Sequence, residues 1–189
     1  MRHGGISFVL ATAIGLVAPL MVSATRSNLD GPPPGHTGGF GEPTCRACHA
    51  GKVDPTVRVL IADLPEHWSP GETYRFDVVV RGRDLLRGGF QLTARWADGE
   101  AAGRQAGLLT VADDRGAVTD SAGISYAHHI ADGTTPMSPG SVRWTVAWTA
   151  PDTTMDGAIV FHVAGNAAND DNSELGDLIA TESDTAFAK

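Results

Sequence analysis

Short runs of alternating apolar and polar residues, each closed by a turn signal, constrain this chain more than any other feature. Tyr74, Phe76, Val78 and Val80 alternate with Arg75, Asp77 and Val79, and Val142, Trp144, Val146 and Trp148 alternate with Arg143, Thr145 and Ala147. The same spacing recurs at Val57, Val59 and Ile61, and again at Phe90, Leu92, Ala94 and Trp96. Successive side chains of a strand point to opposite faces, so a period of two buries one face and wets the other. Ser69-Pro70-Gly71, Arg87-Gly88-Gly89, Asp98-Gly99, Ala150-Pro151-Asp152 and Asp156-Gly157 separate the runs. Strands spaced in this way predict an all-β chain, an antiparallel β-sandwich over residues 55–189 with no long helix. Three of the four tryptophans fall on alternating strand positions and are read as core. The 23 glycines and 11 prolines suit many tight turns.

The N-terminus speaks to compartment. Met1-Arg2-His3 is a short basic start, residues 6–22 are apolar and uncharged, and Val22-Ser23-Ala24 is a small-residue cleavage pattern. Residues 1–24 therefore read as a secretory signal peptide, with export to the periplasm, the cell surface or the extracellular space. The alternative is an uncleaved anchor, because the run lies at the lower end of the roughly 17–25 residues that a spanning helix needs. That helix would be the chain's sole membrane contact.

Residues 25–54 differ in kind. The stretch Gly31-Pro32-Pro33-Pro34-Gly35-His36-Thr37-Gly38-Gly39-Phe40-Gly41 suits neither helix nor strand, because proline removes donors and glycine removes restraint. It runs directly into Cys45-Arg46-Ala47-Cys48-His49, which holds both cysteines of the chain. The expectation is an irregular arm carrying a cofactor.

C-x-x-C-H is the attachment signature of c-type haem. Two thiols add across the two vinyl groups of the porphyrin, and the histidine that follows ligates the iron as proximal ligand. Cys45 and Cys48 are thus the expected covalent attachment points of one haem c, and His49 an iron ligand. Three other readings of the pair stay open. A thioredoxin-like dithiol needs a βαβ setting and a helix N-terminus. A Cys45–Cys48 disulfide closes a loop so small that it stabilises little. A zinc site with His36 and His49 lacks the usual second pair.

These motifs resemble bacterial proteins with a Reeler-like (reelin N-terminal-like, or choice-of-anchor) β-sandwich and an N-terminal C-x-x-C-H. The resemblance rests on Gly35-His36-Thr37-Gly38, on Gly41-Glu42-Pro43-Thr44 before Cys45, and on Gly89-Phe90-Gln91-Leu92-Thr93-Ala94. It continues through Tyr126-x-x-His129, Trp148-Thr149-Ala150-Pro151, Gly165-Asn166-Ala167-Ala168-Asn169 and Gly176-Asp177, spanning about residues 31–181. It implies a Reeler-like or immunoglobulin-like sandwich more firmly than it implies a mechanism.

A second axial ligand separates electron transfer from ligand binding. Candidates are His36, His67, His128, His129, His162, Met137 and Met155. His129 stands where the resembling proteins carry the histidine of their Tyr-x-x-His motif, and strand placement gives the rigidity that ligation requires. It is the preferred distal ligand, with Met137 and His36 as alternatives. His128, its neighbour, should point to the opposite face. His162 reads as a packed or hydrogen-bonded core histidine and His67 as a turn residue.

Asn166, Asn169, Asp170, Asp171, Asn172, Glu174 and Asp177 crowd one loop. Oxygen-rich loops bind calcium, which makes the segment a candidate calcium site, although such residues are also ordinary turn formers. The formal net charge is −8 and grows one unit more negative without residues 1–24, which carry Arg2 and no acid. That balance argues against nucleic acid and for a redox protein partner with a basic docking surface. Together the residues predict an exported monohaem cytochrome moving single electrons, not an enzyme, either alone or as one subunit of a larger electron-transfer complex. The competing readings are a haem enzyme or gas-binding protein with an open distal site, and an adhesive or structural sandwich with a disulfide.

Overall fold

The computed structural model describes residues 1, 28–51, 54–152, 157–171 and 173–189. Apart from Met1, the expected signal peptide lies outside the described residues, as does Met155. No described helix is long and apolar enough to cross a membrane.

Among the described residues ten strands form two sheets. They are β1 (Arg58–Ala62), β2 (His67–Trp68), β3 (Thr73–Arg81), β4 (Arg87–Trp96) and β5 (Leu108–Val111), then β6 (Gly116–Ser121), β7 (Ile124–His129), β8 (Ser141–Thr149), β9 (Ala158–Ala168) and β10 (Leu178–Ala188). The smaller sheet runs β1-β3-β8-β5 and the larger β2-β10-β9-β4-β7-β6. The described helices are three short 3-10 turns, at Cys45–Ala47, Gly99–Ala101 and Ala131–Thr134. The all-β sandwich read from alternation is the fold. One pairing departs from the antiparallel expectation: β2 lies parallel to β10, with Phe187 opposite His67. His67 is accordingly an exposed strand residue and not a turn.

The alternating residues fill the space between the sheets. Phe76, Val78, Val80, Val142, Trp144, Val146 and Trp148 from the smaller sheet meet Phe90, Leu92, Ala94, Ile159, Phe161 and Val163 from the larger. Trp148 stands edge-on to Phe161 at 5.0 Å, Phe161 edge-on to Phe76 at 5.5 Å, and Phe90 packs on Trp144 at 4.6 Å. Each such pair contributes about 0.5–1.5 kcal/mol beyond its burial. All four tryptophans are buried.

β4 breaks the two-face rule. Its outward side chains Gln91, Thr93 and Arg95 are as buried as its core residues. The cover is the arm. His36 N donates to Gln91 Oε1 at 2.6 Å, and Gln91 Nε2 donates to Pro33 O at 3.0 Å. Arg95 pairs with Glu42, Tyr126 OH donates to Glu42 Oε1 at 2.7 Å, and Thr37 Oγ1 donates to Glu42 Oε2 at 2.5 Å. Gly39 lies so close to His162 of β9 that a Cβ there would sit 2.4 Å from the ring. His162 is partly covered, edge-on to Phe40 at 5.4 Å, with a buried Nδ1 that has no partner. It is a packed histidine, as read, although among the described residues its Nδ1 meets no hydrogen-bond partner. The segment called a cofactor arm is thus an ordered strap across the outer face of the larger sheet.

Candidate functional site

The strap ends in the 3-10 turn Cys45–Ala47, capped by Thr44 Oγ1, which accepts from Arg46 N at 3.2 Å. The turn presents Cys45, Cys48 and His49 to a cavity of about 590 Å³ between the strap, the β4–β7 edge and the 169–177 loop. That volume is in the range of small-molecule and cofactor sites. His129 and His36 line the same cavity, Leu29, Pro32, Pro33 and Phe90 add apolar wall, and Asp170, Asp171 and Glu174 lie at its acidic side. Met137 is 62% exposed and does not line it.

Both cysteines are free thiols, Cys45 half-buried and Cys48 exposed. Burial pushes the Cys45 thiol up to about 12. A redox dithiol is usually set at a helix N-terminus, where this pair has a three-residue turn.

His49 is held from the far side of the chain. Its Nδ1 donates to Asp177 Oδ2 at 2.6 Å, and Asn166 Nδ2 donates to the same oxygen at 3.2 Å. Asp177 is 2% exposed, and its Oδ1 has no hydrogen-bond partner. The chain beyond His49 is stitched to the same loop, with Ala50 N donating to Glu174 O at 3.0 Å. At Gly51 a Cβ would fall 1.3 Å from Asp177 O, so only glycine permits this approach.

His129, the last residue of β7, lies across from Gly89 of β4, where a Cβ would come within 2.7 Å of its Cε1. Its Nδ1 is 3.0 Å from Phe90 N and 3.2 Å from Phe90 O, and its Nε2 is 3.3 Å from Asn28 O. Phe90 N donates to Nδ1, and Nε2 can then carry the proton and donate to Asn28 O. Burial lowers its pKa against the opposing hydrogen bonds with Phe90 and Asn28, which favours the neutral ring. The expectation that His128 faces the opposite side does not hold at this strand end, since both rings contact the strap, His128 against Gly31. Only His129 reaches the cavity. His128 is engaged instead with Thr119 Oγ1 at 2.9 Å and His129 O at 2.7 Å. His36 Nδ1 is 2.9 Å from Pro33 O, a contact within the strap itself.

Of the residues read as a candidate calcium loop, Asn172 lies outside the described residues and five others are drawn into other contacts. Asp177 and Asn166 serve His49, Asp170 pairs with Arg87 at 2.5 Å, and Asn169 Nδ2 donates to Asp171 at 3.0 Å. Among the described residues no three His, Cys, Asp or Glu side chains converge on one metal position. Residue-type reasoning placed Asp177 and Asn166 in the candidate calcium loop and Gly89 in a turn signal, and set none of them beside the histidines they face.

A haem fits what is present. Two thiols and a carboxylate-held imidazole stand on one wall, a second, partly buried imidazole lines the same cavity, and Gly89 leaves that imidazole the space a Cβ would take.

No protein-family model matches the chain, and no curated protein does. Among solved structures it is similar to the human F-spondin reeler domain, at 14% identity and TM-score 0.46, covering 76% of this chain and 99% of that one. It is also similar to AvmM, which catalyses macrocyclization in alchivemycin A biosynthesis, at 16% identity and TM-score 0.46, covering 72% and 90%. A third is a cohesin module of a Clostridium perfringens family 33 glycoside hydrolase, at 11% identity and TM-score 0.45, covering 71% and 97%. At such identities these likenesses say nothing about ligand or activity.

Proposed function

We propose that this chain is an exported monohaem c-type cytochrome that carries single electrons. The observation that supports the reading most is the meeting of Cys45, Cys48, His49 and His129 on one cavity, although His129 is 80 residues from the motif in sequence. Cys45 and Cys48 would hold the porphyrin covalently, His49 would be the proximal ligand and His129 the distal one. Bound there, haem iron supplies one-electron exchange between its ferric and ferrous states.

The chain's own groups have definite tasks. The strap fixes the attachment turn on a rigid sheet through Glu42, Arg95 and Gln91. Asp177 holds the proton of His49 on Nδ1 and leaves that ring's Nε2 free, whereas His129 would ligate by giving up the contact of its Nε2 with Asn28 O. Leu29, Pro32, Pro33 and Phe90 keep water from the cavity walls. With two imidazoles engaged no coordination position is left for a substrate, which favours a carrier over an enzyme. The acidic residues Asp170, Asp171 and Glu174 beside the cavity favour a redox partner with a basic surface.

The test is expression with a haem c maturation system, followed by acid-acetone extraction and absorption spectroscopy. Haem that stays with the protein, in a six-coordinate low-spin spectrum, is the expected result. A chain without a Soret band, or haem that extracts freely, overturns the reading. A five-coordinate high-spin spectrum keeps the haem and overturns the electron-carrier role in favour of an open distal site.

A further inference from the structure

We infer that Asp177 is a positioning residue that sets the reduction potential of the site through His49. The inference rests on the haem reading above and adds a residue that the C-x-x-C-H motif does not contain.

The geometry is specific. His49 Nδ1 and Asp177 Oδ2 are 2.6 Å apart, in the range of charge-assisted hydrogen bonds. Asp177 is 2% exposed, so water does not screen the carboxylate from the ring. Its position comes from three elements that are separate in sequence: the strap through Gly51, the 169–177 loop through Ala50 N and Glu174 O, and β9 through Asn166. The carboxylate is therefore held, not free to swing to solvent. Two donors share Oδ2, the ring N–H and the Asn166 amide at 3.2 Å, while Oδ1 has none.

A carboxylate accepting the second N–H of a ligating imidazole fixes the tautomer and makes the other nitrogen a stronger donor. A stronger donor stabilises ferric over ferrous iron, so the midpoint potential falls. Hydrogen bonding to an axial ligand is one of the levers by which a protein tunes a haem. Asn166 opposes the effect, because its amide draws part of the charge on Oδ2 away from the ring. The two side chains therefore act on the potential with opposite signs, which a purely structural role does not produce.

The experiment uses the matured full chain and the variants Asp177→Asn and Asn166→Ala. Asp177→Asn keeps the shape and removes the charge, and Asn166→Ala removes the competing donor. Haem retention and the low-spin spectrum are measured first, then the midpoint potential by spectroelectrochemical titration. Asp177→Asn should keep covalent haem and shift the midpoint positive, whereas Asn166→Ala should shift it negative. In the haem-free chain, nitrogen-15 shifts of the His49 ring should report a proton on Nδ1 in the wild type and a mixed tautomer in Asp177→Asn. If Asp177→Asn does not mature, the sign of the Asn166→Ala shift and the wild-type tautomer decide. Unchanged midpoints with haem retained, shifts of the same sign in both variants, or a wild-type His49 protonated on Nε2 overturn the inference and leave the cytochrome reading intact. A wild type without haem overturns the cytochrome reading itself.

Discussion

Arg95 of β4 and Glu42 of the strap form an ion pair with little access to water, their side chains 7% and 14% exposed. The guanidinium also accepts the faces of Phe40 and Tyr126, at 5.4 and 5.6 Å, and donates to Tyr126 OH at 2.8 Å. A charge pair in such a place is costly to halve, because the survivor stays buried and unpaired. Glu42→Ala should cost roughly 3–5 kcal/mol in chemical denaturation. It should also raise the susceptibility of residues 28–51 to proteolysis. A loss below about 1 kcal/mol would mean that the strap is held by Gln91 and packing alone.

The same pair gives a pH dependence with a definite sign. Burial pushes the Glu42 carboxyl up, but hydrogen bonds from Thr37, Tyr126 and Arg95 and the Arg95 charge together win, so it lies below its ordinary 4.5. A depressed carboxyl contributes stability that is present above 4.5 and lost as pH falls through its folded value. Unfolding midpoints measured from pH 6 down to about 3 should fall more steeply in the wild type than in Glu42→Gln. Parallel curves would assign the acid sensitivity to other carboxylates.

His129→Ala should open a coordination position, turning the spectrum towards high spin and admitting carbon monoxide. His128→Ala should do neither, although losing its bonds to Thr119 and His129 O costs about 1–3 kcal/mol of stability. A low-spin spectrum that survives in His129→Ala would move the distal role to His36, which lines the same cavity.

Gly89→Ala tests the placement of His129 without touching a ligand. The added methyl would lie 2.7 Å from Cε1 of that ring, so the ring or β4 must move. Overpacking of this kind costs about 1–3 kcal/mol. The matured variant should show a high-spin fraction that the wild type lacks, and an unperturbed spectrum would place His129 away from the iron.

Trp148 reports on the core independently of the site. Its ring is fully buried, with Nε1 donating to Ala106 O at 2.8 Å. Trp148→Ala should destabilise by about 3–5 kcal/mol. Trp148→Phe should lose about 1–3 kcal/mol, because it leaves the Ala106 carbonyl buried without a donor. Both are read from denaturant midpoints, and a negligible loss in Trp148→Phe would show that the hydrogen bond contributes little beside the packing.

The sandwich was legible in the residues because its cause is local. Alternation at Tyr74, Phe76, Val78 and Val80 and at Val142, Trp144, Val146 and Trp148 gives each strand one apolar face, and two such faces can only be hidden against each other. The cluster of Cys45, Cys48 and His49 was legible for the same reason, since the three lie within five residues. What lay beyond local pattern was which polar residues are inside. Gln91, Thr93 and Arg95 read as a wetted face, yet a glycine- and proline-rich strap lies across them and supplies partners to Gln91 and Arg95, Pro33 from 58 residues away, while Thr93 bonds Ser125 O of β7. Asp177 read as one acid among several in a loop and stands instead against His49, 128 residues earlier in the chain. Such contacts depend on where the chain returns after several strand crossings, and sequence spacing carries no record of that return. Side-chain periodicity fixed the layers, and tertiary packing alone decided which histidine, which carboxylate and which glycine face the cavity.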